Sequence, residues 1–200
     1  LLQVWTRISS RRSGKESSIL KKKMYFDELK KSMNFLGSQK NTIFIGQAVE
    51  VPGTAMSNTL SDVPKKKLLE LPVAEEMQMG MTLGLAMDGN IPISIFPRWN
   101  FLLYGMNQLI NHIDKYSVMT GKKENIKIII RTGVGSQRPL HPQHQHIGDF
   151  TDSIKKMCTT IDVIKLMEPE DTFPAYEKSF TRTDGRNTLI VEFGDYYNEK

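Results

Sequence analysis

From residue 24 onward, apolar positions along the chain switch repeatedly between two periods. Phe26, Leu29, Met33 and Leu36 fall three or four residues apart and predict an amphipathic helix over 25–36 that ends at Gly37. The short run TIFIG at Thr42–Gly46 is apolar and β-branched, the pattern of a buried strand. Residues 50–71 show neither period and contain Pro52, Gly53, Asn58 and Pro64; a loop of that length is expected to be functional or disordered. A helix is then predicted over Glu75–Met87, apolar nearly all round, with Met77, Met81 and Leu85 on one stripe and Met79, Leu83 and Met87 on another. Such a helix should be buried on most sides. Gly80, Gly84 and Ala86 weaken it intrinsically but would let a neighbouring backbone come close.

The same alternation continues to the end of the chain. A strand is predicted over Ile91–Ile95, then a helix capped by Asn100 and running to about Tyr116, then the clearest buried strand, IKIIIR at 126–131. Helix, strand, helix and strand follow at 152–157, 162–166, 170–181 and 188–192. Five apolar strands separated by helices imply a three-layer α/β/α fold with a mostly parallel sheet. Ligands in such folds sit beyond the carboxyl ends of the strands.

The formal charge of +5 suggests a nucleic-acid partner until it is divided along the chain. Residues 1–23 carry seven basic side chains against one acid, leaving 20 basic and 21 acidic residues in the other 177. The body is near neutral, so composition supports no electrostatic nucleic-acid binder. The segment 1–23 has no sustained apolar period and is expected to be a disordered basic extension, with a transit peptide as the rival, ahead of a domain over 24–200. No apolar run approaches 18 residues, so no membrane span is predicted. The one cysteine, Cys158, excludes an intrachain disulfide framework and fits a cytoplasmic chain.

Three groups of residues carry candidate chemistry. Glu75 and Glu76 open the apolar helix, where acids complement the helix dipole. A carboxyl group in a buried first turn also has its ionised form disfavoured, as functional acids often do. His141, His144 and His146, three of four histidines, lie after the 126–131 strand, on a loop at the ligand end of the sheet. Proton handling on a polar substrate and metal binding both stay open for them. The pair Gly133 and Gly135 lacks the remainder of a dinucleotide fingerprint and reads as a turn. Phe96, Trp99, Phe101 and Tyr104 form an aromatic group that fits core packing or a flat wall for a heteroaromatic ring.

Taken in order, PVAEEMQMGMTLGLAMDG at 72–89, NFLLYGMNQLIN at 100–111 and RTGVGSQRPLHPQHQH at 131–146 resemble the pyrimidine-binding domain of thiamine-diphosphate enzymes. The likeness is strongest to beta subunits of pyruvate dehydrogenase-type 2-oxo acid dehydrogenases, more distant to transketolases, and covers roughly residues 25–195. It implies that Glu75 is the activating acid, that Phe101 packs on the aminopyrimidine with Trp99 beside it, and that the active-site histidine is His144 by direct spacing, with His146 the alternative where a short insertion follows. Glu76 stands where the family usually has an apolar residue. The family chemistry would have Glu75 favour the imino tautomer of the pyrimidine, whose nitrogen then takes the thiazolium proton and gives the ylid that attacks a carbonyl.

The diphosphate motif of that family, Gly-Asp-Gly followed about thirty residues on by Asn, is not completed at Gly148-Asp149 or Gly194-Asp195. The resemblance therefore implies a separate, alpha-type subunit that supplies the diphosphate half and most of the Mg²⁺ site, in a two-plus-two heterotetramer. It further implies a small 2-oxo acid or ketose substrate and cleavage or formation of a carbon–carbon bond beside a carbonyl. The family's beta subunits continue into a further docking domain after the matched region. Two other readings are a non-catalytic regulatory subunit with the same fold and a metal-dependent enzyme using His141, His144 and His146.

Overall fold

The computed structural model describes residues 2–51, 54–121, 125–135, 137 and 141–197, with side chains from residue 17 onward. Leu1, Pro52, Gly53, Ser136, residues 138–140 and residues 198–200, which fall in stretches singled out above, lie outside the described residues. Six strands are described: β1 (Thr42–Gly46), β2 (Leu68–Glu70), β3 (Ile91–Ile95), β4 (Ile129–Val134), β5 (Ile161–Lys165) and β6 (Asn187–Phe193). They form one parallel sheet in the order β2-β1-β3-β4-β6-β5.

Alternation along the central strands divides the core in two. Ile128, Ile130, Leu189 and Val191 face one layer, made by α3 (Glu75–Met87), the helical stretch from α4 (Trp99–Leu102) to α5 (Tyr116–Met119), and α6 (Thr151–Met157). Ile129, Ile190, Phe44 and Ile93 face the other layer, made by α1 (Leu2–Ser38) and α7 (Pro169–Thr181). Both faces of the sheet are thus covered, which is why its strands are continuous apolar runs. Phe35 of α1 sets edge-on contacts against Phe173 and Phe180 of α7. Tyr25 fastens α1 to the sheet: its hydroxyl donates to Leu166 O at 3.1 Å and accepts from Phe193 N at 2.9 Å.

Four observations depart from the sequence pattern. A sixth strand, β2, lies inside the stretch expected to be an irregular loop, together with α2 (Ala55–Asn58), whose N-cap is Thr54. It is three residues long at the sheet edge and none of its side chains is fully buried, so it leaves little apolar signal. The helix expected from Asn100 to Tyr116 is broken into α4, a 3₁₀ turn (Leu103–Gly105), a π-helical segment (Gln108–Ile113) and α5. The break brings Gly105 against α3, where an added Cβ would stand 2.8 Å from Met79 Cγ.

The third departure is the orientation of α3, which is not buried on most sides. Its covered residues are Glu75, Gln78, Met79, Thr82 and Ala86, whereas Met77, Met81 and Met87 are exposed. Hydrogen bonding decides this. Gln78 Nε2 donates to Ile95 O at 2.9 Å and to Ser94 Oγ at 3.1 Å, and Thr82 Oγ1 lies 2.9 Å from Ser94 Oγ. Polar side chains thereby bind the helix to β3 while Met77, Met81 and Met87 turn outward.

The fourth concerns α1, which begins at Leu2 rather than near Tyr25, so the backbone is helical across residue 23. Lys21 Nζ lies 2.7 Å from Glu168 Oε2, on the residue that precedes α7.

Candidate active site

The sequence-nominated residues follow the carboxyl ends of the parallel strands: Glu75 opens α3 after β2, Trp99 and Phe101 follow β3, and the histidines follow β4. Gly46 closes β1. A Cβ there would fall 2.5 Å from Ile95 O, a backbone atom of the neighbouring strand, so only glycine allows this approach. Gln47 follows immediately, and its Nε2 donates to Glu75 Oε1 at 3.3 Å. Glu75 is the first residue of α3 and is 7% exposed; its carboxylate has no other hydrogen-bond partner among the described residues. The N-cap residue, Ala74, supplies no side-chain cap, so the acids of the first turn face the positive end of the helix dipole unopposed. Glu76 points to solvent.

The turn carrying Gln47 is itself clamped. Glu70, the last residue of β2, accepts the backbone N–H groups of Ala48 at 2.6 Å and of Val49 and Glu50 at 2.8 Å each. Ala48 sits at φ 52, in the left-handed region, a conformation that costs a non-glycine residue about 1–3 kcal/mol. Three charge-assisted bonds to one carboxylate offset that cost.

The second half of the site comes from the turn after β3 and the loop after β4. Trp99 is fully buried and meets Phe150 edge-on, so it backs the site from within the core. Phe101 is half-buried and faces the His146 ring at 5.6 Å between centroids, with the planes 33° apart. Asn100, expected to cap a helix, lies inside the first turn of α4, and its Nδ2 is 2.6 Å from His146 Nδ1. Asn100, Leu103, Tyr104, Gln145 and His146 line an open hollow of about 430 Å³. His144 is exposed, as is His141, whose Nδ1 accepts from Gln143 N at 3.1 Å. Of the three histidines, the structure brings only His146 into contact with the aromatic face.

The root of the histidine loop is held from below. Asp195 Oδ1 accepts the backbone N–H of Gln137 at 2.8 Å, and Arg98 Nη1 donates to Gly135 O at 3.3 Å. The loop's far end is fixed by Asp149, which accepts from Thr151 N at 3.0 Å and pairs with Lys165 at 2.6 Å. Burial opposes ionisation of Asp149, but the Lys165 and Thr151 hydrogen bonds outweigh it and hold its carboxyl below the usual range. Cys158, at the end of α6, is pushed up to about 11 by burial and the nearby Asp114 carboxylate, which disfavours its thiolate.

No group of three or more His, Cys, Asp or Glu side chains among the described residues is placed to hold a metal ion. The histidine-loop metal reading therefore has no ligand set behind it. An aromatic cofactor ring finds better complements. Next to Phe101 in the chain, Trp99 Nε1 and Asn100 Oδ1 are buried without hydrogen-bond partners among the described residues, and Glu75 offers a carboxylate with spare accepting capacity. Four contributors have roles that the sequence pattern did not single out: Gln47, Glu70, Asn100 as a histidine partner, and Asp195. Glu70 left only a faint trace, an acid two residues before Pro72.

Comparison with known proteins fixes the family. Residues 23–194 match the family described as transketolase, pyrimidine binding domain. The chain belongs to that family. Among curated proteins, the pyruvate dehydrogenase E1 component subunit beta of Gracilaria tenuistipitata var. liui is 30% identical over 126 residues, 60% of this chain and 39% of that protein. The Cyanidium caldarium protein of the same name is 29% identical over 113 residues, 54% of this chain and 34% of that protein. The chain thus spans about a third of the length of the curated relatives it matches. Solved structures share the fold: a transketolase from Campylobacter jejuni superposes with a TM-score of 0.65 at 12% identity, covering 84% of this chain and 25% of that one. A split-gene transketolase, an inactive beta4 tetramer, gives 0.64 at 12% identity, covering 84% of this chain and 50% of that one. The three-layer pyrimidine domain of thiamine-diphosphate enzymes, similar to the E1 beta subunit, is therefore the frame for these residues. No described helix is long and apolar enough to cross a membrane.

Proposed function

We propose that the chain is the pyrimidine-side subunit of a thiamine-diphosphate enzyme that cleaves or forms a carbon–carbon bond beside a carbonyl. The observation that carries this reading is Glu75, a buried acid at a helix start with a single hydrogen bond, on the sheet edge that also holds Phe101 and His146. When bound, thiamine diphosphate supplies a carbanion equivalent at its thiazolium ring. Glu75 would hold a proton at the aminopyrimidine ring nitrogen, and Gln47 steadies the carboxyl through its other oxygen. Phe101 gives the ring an apolar face, backed by Trp99. His146, with Nδ1 tied to Asn100, has its other ring nitrogen available to move a proton on a small 2-oxo acid or ketose; this favours His146 over the exposed His144.

An alpha-type partner chain would bring the diphosphate and Mg²⁺ half, in a two-plus-two assembly in the cytoplasm. The outward face of α3 supports this, since Gly80 and Gly84 have nothing within 4 Å of an added Cβ and lie between exposed Met77, Met81 and Met87. Such a face accepts another backbone at close range. The deciding experiment titrates thiamine diphosphate with Mg²⁺ into the chain, alone and with its co-purified partner. Heat of binding only in the mixture, reduced by Phe101→Ala, and turnover lost in Glu75→Gln are the expected results. Full turnover in Glu75→Gln would overturn the mechanism, and a formed complex without cofactor binding would favour a regulatory subunit.

A further inference from the structure

Resting on that reading of the site, we infer that Glu70 is a positioning residue: it holds the turn after β1 in the shape that delivers the Gln47 amide to Glu75. Each link is geometric. One carboxylate gathers three consecutive backbone N–H groups, those of Ala48, Val49 and Glu50, at 2.6–2.8 Å. The left-handed residue Ala48 turns the chain there, so that these successive N–H groups form a concave nest for the carboxylate. Fixing 48–50 fixes the exit of the chain from Gly46, and Gln47 is the one residue between them. Its amide then donates to Glu75 Oε1, which orients the carboxyl group and leaves Oε2 without a hydrogen-bond partner among the described residues.

Glu70 itself is anchored because β2 pairs with β1, Gly46 standing opposite Glu70, and Leu71 N donates to Gly46 O at 2.9 Å. The edge strand thus contributes to the site through the turn that Glu70 holds. A neutral amide is the partner this arrangement requires. It donates a hydrogen bond and brings no second charge beside the carboxyl group.

The test uses the full chain labelled with ¹⁵N. Glu70→Gln keeps the shape but replaces a two-oxygen acceptor with one oxygen and no charge. Hydrogen exchange at the amides of Ala48, Val49 and Glu50 should accelerate by about tenfold or more, and the proton contacts between the Gln47 side-chain amide and Glu75 should weaken. Exchange in β1 and β4 should stay at the parent level, whereas a merely structural acid would loosen the sheet as a whole. Glu70→Asp, which keeps the charge, should restore part of the protection. In the assembled enzyme, Glu70→Gln should lower turnover while the KM for thiamine diphosphate stays within about twofold. Turn amides as protected in Glu70→Gln as in the parent, or an undiminished Gln47–Glu75 contact once they are exposed, would overturn the inference. If the parent assembly binds no thiamine diphosphate, the cofactor reading falls instead, and the exchange data still decide the role of Glu70 in the turn.

Discussion

Two buried glutamates near the carboxyl edge of the sheet are treated in opposite ways. Glu192 of β6 is completely enclosed and fully engaged. Arg131 binds both of its oxygens, through Nε at 2.7 Å and Nη2 at 3.0 Å, and the hydroxyls of Tyr176 and Tyr197 add one bond each. Arg131 also reaches Met33 Sδ and Thr59 Oγ1, so the pair draws α1, α7 and the segment after α2 together. Burial and the Glu192 charge push the Tyr176 and Tyr197 hydroxyls well above their ordinary values, which keeps them as donors. Glu75, almost as buried, has one bond of 3.3 Å. A saturated acid serves the fold, while an acid left with accepting capacity at a pocket is available for chemistry.

The sharpest way to break the contrast is to remove Arg131. Arg131→Ala leaves Glu192 buried and uncompensated and should cost about 3–5 kcal/mol in urea unfolding. The double change Arg131→Met with Glu192→Leu should recover most of that loss, since neither charge then remains. A double variant as unstable as Arg131→Ala would show that the tyrosine and Thr59 bonds, not the ion pair, hold these elements.

Asp114 offers a smaller effect with a pH signature. It is buried and accepts the backbone N–H groups of Thr159, Thr160 and Ile161. Burial works against its ionisation, yet Lys115 and the bonds from Thr160 and Thr159 hold the carboxyl far below the usual range. Its folded pKa lies below its unfolded one, so the unfolded chain binds the extra proton and stability rises with pH. The contribution is complete above about pH 5 and is lost as pH falls toward the folded value. Asp114→Asn should cost about 1–3 kcal/mol at pH 7, and its deficit should shrink below pH 4 in thermal melts. A deficit that does not change with pH would assign the loss to altered geometry instead of charge.

Glu75→Gln should move stability least, by under about 1 kcal/mol, because one long bond is all it alters. If unfolding instead shows a loss like that of Arg131→Ala, Glu75 belongs with Glu192 as a structural acid.

Much of the fold was legible in the chain because parallel strands covered on both faces must be apolar throughout. TIFIG and IPISI coincide with β1 and β3, and the run at 126–131 overlaps β4. The orientation of α3 was not legible, since periodicity counts Gln78 and Thr82 as polar and assigns them outward. Their hydrogen bonds to Ser94 and Ile95, set by the position of β3, reverse that assignment. The same holds at the site. Glu75, Phe101 and the histidine loop stand in motifs, whereas Gln47 and Glu70 are single polar residues whose meaning depends on which strands lie side by side. Spacing along the chain put His144 ahead of His146, and the contacts of His146 with Phe101 and Asn100 reverse that order.

The Tyr25 hydroxyl that accepts from Phe193 N ties together residues 168 positions apart. During synthesis at the usual 5–20 residues per second, α1 therefore leaves the ribosome roughly ten to thirty seconds before the strand it docks on. The pairing of β4 with β6 waits in the same way, because β5 and α7 must emerge between them. For that interval the apolar face of α1, with Leu29, Met33 and Leu36, has β1 and β3 beside it but lacks the cover of α7 and β6. Translation speed and chaperone capture, more than the stability of the finished fold, then govern how much of the newly made chain reaches its native state.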